Sequence, residues 1–215
     1  MRMRAKKNRE GRLEKVQNLF CIINDDKIDV DNSFDEERPL WVELGCGKGA
    51  FASQMSARHP EVNYLAFEKV LDVLLMAMEK ADREGCGNLR FYNGDAENIC
   101  TLLEGKKVNA LFINFCDPWP KKRNAKRRLT SPQFLEKYKN ILASDARIFF
   151  KTDNRDLFDY SLETFVETGY TLDNVCFDLH ASPLNQNNIP TEYEKNFSEK
   201  GFSINYLEAF LKNDK

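Results

Sequence analysis

The run Asp117-Pro118-Trp119-Pro120-Lys121-Lys122-Arg123, closed by Lys126-Arg127-Arg128, places one carboxylate, one indole and six cations within twelve residues. Two prolines stiffen the turn. A hydrophobic core has no use for such a cluster, because ionised side chains are almost never fully buried unless paired. A surface that holds a polyanion does. The cations grip phosphates, and the acid beside the indole lies where a reacting group would be delivered. Charge runs are commonly solvated faces, but six like charges repel one another without an anionic partner.

A second constellation lies upstream. The apolar run 40–44 leads into Glu43-Leu44-Gly45-Cys46-Gly47-Lys48-Gly49, with the spacing E-x-G-x-G-x-G, not G-x-G-x-x-G. Glycines at 45, 47 and 49 let the backbone approach a ligand and turn tightly into a helix. A dinucleotide loop offers backbone N–H groups to a pyrophosphate and gains nothing from a carboxylate there. A carboxylate does suit a ligand with an amine or sulfonium cation, such as S-adenosylmethionine. Glu68, 19 residues after Gly49, is placed to accept from ribose hydroxyls. Asp95, in Asn93-Gly94-Asp95-Ala96, is placed to accept from an adenine amino group. Each acid alone has an ordinary alternative as a turn former or helix N-cap; the set, one after each of three successive strands, is more specific.

The elements that must position these groups alternate. Short apolar runs predict strands at 40–44, 62–67, 89–93, 108–115, 147–152, 170–179 and 202–208. Helical periodicity predicts helices at 13–23, 51–58, 69–84, 132–142, 155–168 and 191–199. Leu71, Leu74, Leu75 and Met78 share one face of the helix 69–84, which ends at Gly85. Ser131 is a candidate N-cap before Pro132. Phe158, Leu162, Phe165 and Val166 are read as the inward face of 155–168, with Gly169 as its cap. The acidic stretch 24–38 reads as a loop ending at Pro39. This alternation predicts an α/β fold: a doubly wound, Rossmann-like sheet, mostly parallel, with helices on both faces and an antiparallel pair at one edge.

The 215 residues fit a domain at 39–215 preceded by a basic arm and acidic loop at 1–38. The net charge of −2 conceals its distribution: residues 1–15 carry seven Lys/Arg and 121–128 carry six. The arm is read either as RNA contact or as a solubilising tail. No apolar run approaches the ~20 residues a membrane span needs. The basic N-terminus lacks a signal peptide's apolar segment, which predicts a cytoplasmic protein. Six scattered cysteines without a CxxC pair predict reduced thiols. With only His59 and His180 beside them, no metal site is expected.

Taken together, these residues resemble the bacterial-type tRNA (guanine-N7-)-methyltransferases over nearly all of 40–210. The resemblance rests on Asp117-Pro118-Trp119-Pro120-Lys121-Lys122-Arg123, on Lys151-Thr152-Asp153-Asn154 and on Thr191-Glu192-Tyr193-Glu194. Asn124 departs from the family, which has histidine there. The resemblance implies that Glu43, Glu68, Asp95 and Asp117 line the S-adenosylmethionine site. It implies that Lys121, Asp153, Thr191, Glu192, Tyr193 and Glu194 contact the RNA, and that guanosine 46 of the tRNA variable loop is methylated without an obligatory protein partner.

Guanine N7 has an in-plane lone pair and no proton at neutral pH, so it needs no general base. That fits a chain lacking any evident Ser-His-Asp, Cys-His or metal constellation. What remains is positioning and stabilisation of the purine's developing positive charge by Asp117, Asp153 or Glu192. Lys122, Arg123, Lys126, Arg127 and Arg128 join Lys121 as phosphate contacts, which position the RNA without reading its sequence. The structural alternatives are a turn at Asp117-Pro118, an N-cap at Asp153, a capping box at Thr191–Glu194 and a core role for Tyr193. Trp119 either packs or stacks on a base. Competing functions are a methyltransferase acting on protein or a small molecule, a nicotinamide oxidoreductase, and a non-catalytic RNA-binding module.

Overall fold

The computed structural model describes residues 8–212. Residues up to Lys106 form one compact unit and those from Lys107 a second. The first contains α1 (Arg9–Val16), β1 (Ile23–Asn24), β2 (Lys27–Ile28), α2 (Val30–Ser33), β3 (Leu40–Leu44), α3 (Ala50–Arg58), β4 (Asn63–Glu68), α4 (Leu71–Glu84), β5 (Leu89–Asn93) and α5 (Ile99–Leu102). The second contains β6 (Val108–Asn114), α6 (Pro132–Ile141), β7 (Leu142–Thr152), α7 (Arg155–Glu167), β8 (Tyr170–Cys176), α8 (Glu192–Ser198) and β9 (Asn205–Leu211). Seven strands form one sheet in the order β5-β4-β3-β6-β7-β9-β8.

In the first unit β3, β4 and β5 pair in parallel, with Val42 opposite Leu65 and Leu65 opposite Arg90. Parallel neighbours require crossovers, supplied by α3 and α4. Val42, Leu65 and Ala66 are fully buried, which is why β3 and β4 read as apolar runs rather than as alternation. Leu74, Leu75 and Met78 form the buried stripe of α4, and Gly85 ends it at φ +69°, its N–H bonded to the Ala81 and Asp82 carbonyls.

The stretch expected to be a loop contains structure. Asp25 and Asp26 adopt φ +48° and +59°, the pair of left-handed residues that closes a two-residue hairpin between β1 and β2. Asp29 then caps α2 by accepting from Asn32 N–H at 3.2 Å. The helix expected at 13–23 is displaced: α1 ends at Val16, a 3-10 turn follows at Gln17–Leu19, and Ile23 already belongs to β1. The Arg12 guanidinium grips Glu79 of α4, with Nε to Oε1 at 2.6 Å. Residues 1–7 of the basic arm lie outside the described residues.

In the second unit β6 and β7 are parallel, while β9 runs antiparallel to both β7 and β8. This is the expected antiparallel edge. Ser131 is the N-cap of α6 ahead of Pro132, as read, though its hydroxyl donates to the Lys126 carbonyl at 3.2 Å and caps no N–H of the helix. One local expectation fails. Val166 is 60% exposed. The buried stripe of α7 is Leu157, Phe158, Ser161, Thr164 and Phe165, and the next residue lies about 100° further round the helix. Among the described residues no helix is long and apolar enough to cross a membrane, and no His/Cys/Asp/Glu group could hold a metal ion.

Candidate functional site

The C-terminal ends of β3, β4 and β5 carry the three acids read from the sequence. Glu43 is only 1% exposed, and the Tyr64 hydroxyl donates to its Oε2 at 3.4 Å. Burial, then the charge of Glu43, pushes the Tyr64 phenol well above its ordinary range. Glu68 fastens the glycine loop. It accepts from Gly47 N–H at 3.1 Å through Oε2 and from Val70 N–H at 2.8 Å through Oε1. Asp95 accepts from Glu97 N–H at 3.1 Å and pairs with Lys69 Nζ at 2.5 Å, so its capping role is real. Lys69 was not anticipated; its signal was a cation immediately after Glu68. Burial raises the Cys46 thiol well above its usual range, reinforced by Glu43 and Glu68, so this cysteine of the loop is inert.

The three glycines of the loop do different things. All have positive φ: Gly45 +80°, Gly47 +56°, Gly49 +77°. A Cβ at Gly45 or Gly47 would meet nothing within 4 Å, leaving open space beside the backbone. A Cβ at Gly49 would lie 2.7 Å from Ala77 Cβ and 2.9 Å from Ala77 Cα, so Gly49 lets α3 start against α4. Gly49→Ala should therefore cost about 1–3 kcal/mol of overpacking beyond the roughly 1–2 kcal/mol left-handed strain that it shares with Gly47→Ala. Thermal unfolding should show the larger loss for Gly49→Ala.

In the second unit the loop after β6 is sharply bent. Phe115 and Trp119 both have positive φ, +51° and +41°, conformations that bulky residues adopt only where the surroundings impose them. Asp117 sits between them, exposed. Lys121, Lys122, Arg123 and Lys126 are exposed and make no ion pair with a described residue. Arg127 lies over the Trp119 ring at 3.8 Å, so one indole face is covered by the protein's own guanidinium. Arg128 points inward, donating to the Pro118 carbonyl at 2.9 Å and the Trp119 carbonyl at 3.1 Å.

Asp153 does not cap α7. Asn154 does, its Oδ1 accepting from Leu157 N–H at 2.8 Å. The short side chain one residue closer to the helix has the reach, leaving Asp153 to accept a long bond from the Tyr193 hydroxyl at 3.5 Å. Tyr193 is 42% exposed rather than core, and its ring packs against Phe115 and Phe197. The Thr191 capping box is present.

Thr191-Glu192-Tyr193-Glu194 divides by exposure. Glu192 and Tyr193 face outward, while Thr191 is buried and Glu194 is 0% exposed. Glu194 accepts from Lys151 Nζ at 2.8 Å, Asn188 Nδ2 at 2.6 Å and the Thr191 N–H at 3.3 Å, and shares a 2.8 Å hydrogen bond with His180 Nε2. Lys151 also donates to the Ile189 carbonyl at 2.9 Å and Asn188 Oδ1 at 3.1 Å. Burial alone would push the Glu194 carboxyl up. The Lys151 charge and these hydrogen bonds outweigh it and hold the carboxyl below its usual value. A lysine ending the apolar run Ile148-Phe149-Phe150 was the sequence signal for this pair; nothing local pointed to His180 or Asn188.

The chain matches the model of a family described as putative methyltransferases over residues 37–207. It is 41% identical to a tRNA (guanine-N(7)-)-methyltransferase of Clostridioides difficile, over 99% of this chain and 100% of that protein. It is 46% identical to one of Halalkalibacterium halodurans, over 82% and 80% of the two chains. The chain belongs to the tRNA (guanine-N7-)-methyltransferase family. The solved structure of the 16S rRNA methyltransferase KamB superimposes with a TM-score of 0.59 at 12% identity, covering 99% of this chain and 97% of that one. That likeness carries the fold: the strand order and antiparallel edge of this family member are those of a Rossmann-like methyltransferase.

Proposed function

We propose that this protein transfers the methyl group of S-adenosylmethionine to N7 of guanosine 46 in the tRNA variable loop. The observation that carries the reading is the pairing of two features in one chain of this family. One is an acid at or just beyond the C-terminal end of each of three adjacent parallel strands, beside a glycine loop with open space at Gly45 and Gly47. The other is the exposed cation run beside the exposed carboxylate of Asp117.

The first feature fits S-adenosylmethionine. Buried Glu43 offers negative charge to its amino group. Glu68 and Asp95 offer carboxylate oxygens to ribose hydroxyls and the adenine amino group. When bound, that group supplies an electrophilic sulfonium methyl. The chain's own residues position the purine and stabilise the positive charge it gains. Asp117, Asp153 and Glu192 offer carboxylates to a base that becomes cationic as N7 is alkylated. They also accept from guanine N1–H and its amino group, which adenine cannot match at both positions. Tyr193 and its aromatic neighbours supply a stacking surface for an unstacked base.

RNA in A-form hides N7 in a deep, narrow groove, so the substrate is the exposed variable loop, held by tRNA shape. Lys121, Lys122, Arg123, Lys126 and Arg127 supply up to five phosphate contacts. Affinity for tRNA should then fall with log salt at a slope of roughly −0.7 to −0.9 per contact. Filter binding across a salt series gives the slope; a value near zero would remove the cation run from the interface.

Incubation with labelled S-adenosylmethionine and unmodified bulk tRNA, followed by nucleoside analysis, tests the reaction. The expected product is 7-methylguanosine, located at position 46 by borohydride–aniline cleavage. Cofactor binding without transfer to tRNA would overturn the proposed acceptor; absence of cofactor binding would overturn the whole reading. The proposed setting is cytoplasmic, with tRNA as the macromolecular partner.

A further inference from the structure

Six cations between 121 and 128 look interchangeable in the sequence, and the structure separates one of them. Arg128 donates through Nε to the Pro118 carbonyl at 2.9 Å and through a terminal nitrogen to the Trp119 carbonyl at 3.1 Å. Its guanidinium lies over the Tyr160 ring of α7 at 4.2 Å. Two of its N–H donors are thus spent on loop carbonyls and one face of its plane lies against an aromatic ring. Four of its neighbours, Lys121, Lys122, Arg123 and Lys126, are exposed and unpaired with any described acid.

The carbonyls it holds belong to the two residues after Asp117. They flank a backbone that needs holding, since Trp119 sits at φ +41°. The returning limb of the loop is itself anchored. Thr130 Oγ1 and Ser161 Oγ of α7 are 2.7 Å apart, Thr164 Oγ1 donates to the Thr130 carbonyl at 2.8 Å, and Tyr138 Oη donates to the Leu129 carbonyl at 3.1 Å. Arg128 thus joins a limb fixed on α6 and α7 to the backbone of the outgoing limb that presents Asp117.

We propose that Arg128 is a positioning residue for methyl transfer, clamping the 117–120 turn so that the Asp117 carboxylate faces the reacting base, and that it is not one of the phosphate contacts. This rests on the function proposed above for the Asp117 turn. Lysine in its place keeps the charge but has no planar fork to reach both carbonyls and no flat face for Tyr160. Small displacements of a group near the chemistry cost up to about 10²-fold in rate.

The test compares Arg128→Lys and Arg128→Gln with Lys126→Gln in the full-length protein. For both Arg128 variants kcat should fall at least about 10-fold, with KM for tRNA within about twofold and the salt slope of tRNA binding unchanged. Lys126→Gln should instead raise KM and make the slope shallower by about 0.7–0.9. A second readout does not need activity. Trypsin should cut after Lys121–Arg127 several-fold faster in Arg128→Lys than in the parent, at equal melting temperature. An Arg128→Gln slope reduced by about one contact, with kcat unchanged, would overturn the clamp and restore a phosphate contact. Unchanged proteolysis and unchanged kcat in Arg128→Lys would also overturn it. If the parent protein makes no 7-methylguanosine, the proposed function fails, while accelerated proteolysis would still establish the clamp on the turn.

Discussion

Lys151→Met is expected to lower unfolding free energy by about 3–5 kcal/mol, because it strands Glu194 as an uncompensated buried charge. Both partners are nearly inaccessible, at 5% and 0% side-chain exposure, so solvent cannot take the place of the lost cation. Urea unfolding measures the loss directly. Replacing both, as Lys151→Met with Glu194→Leu, should recover much of it, since paired burial of charge is itself expensive. The ion pair joins the end of β7 to the first turn of α8, and the neighbouring residues are Asp153 on one side and Tyr193 on the other. The single variant should therefore also lose tRNA affinity, through α8 and not through a lost RNA contact. A Lys151→Met protein with parental stability would mean that the pair contributes nothing net.

The same network sets a pH dependence. The Glu194 carboxyl is held below its ordinary value of 4.5, so the unfolded chain takes up its proton before the folded one does. Its stabilising contribution is fully present above about pH 4.5 and is lost as pH falls through the lowered folded value. Acid titration of stability should show this loss in the parent and not in the Lys151→Met, Glu194→Leu double variant.

Asp117→Asn is expected to reduce kcat/KM for tRNA methylation by about 10²–10³-fold, the scale seen when one preorganised electrostatic partner of a transition state is removed. The fold should be untouched. Asp117 is exposed and makes no hydrogen bond or ion pair with a described residue, so the amide leaves no buried partner unsatisfied. Melting temperature, S-adenosylmethionine affinity and single-turnover rate together separate a binding role from a role in the chemical step. Normal turnover with normal cofactor affinity would remove Asp117 from the centre of the mechanism.

Much of this protein was legible locally. β3 and β5 begin and end at 40–44 and 89–93, as read: β3 because its buried positions, Glu43 apart, are filled by apolar side chains, β5 because buried Leu89 and Phe91 alternate with less buried neighbours. The glycine loop, the three acids after successive strands and the Thr191–Glu194 capping box are short-range patterns whose chemistry depends on spacing along the chain. So is the cation run, whose uniform sign signals a polyanion without any knowledge of the fold.

Only the tertiary structure assigned jobs within those patterns. Gly49 differs from Gly45 and Gly47 because Ala77, 28 residues away, lies against it. Arg128 differs from Lys122 because Tyr160 and two loop carbonyls face it. Glu194 differs from Glu192 because Lys151, 43 residues earlier, meets it inside the protein. Asp153 yields the helix cap to Asn154 and turns to Tyr193. In each case residue type and spacing set what a side chain is able to do, but charge, burial and hydrogen bonding are settled by partners distant in sequence. Which of several like residues meets such a partner is decided when the chain closes on itself.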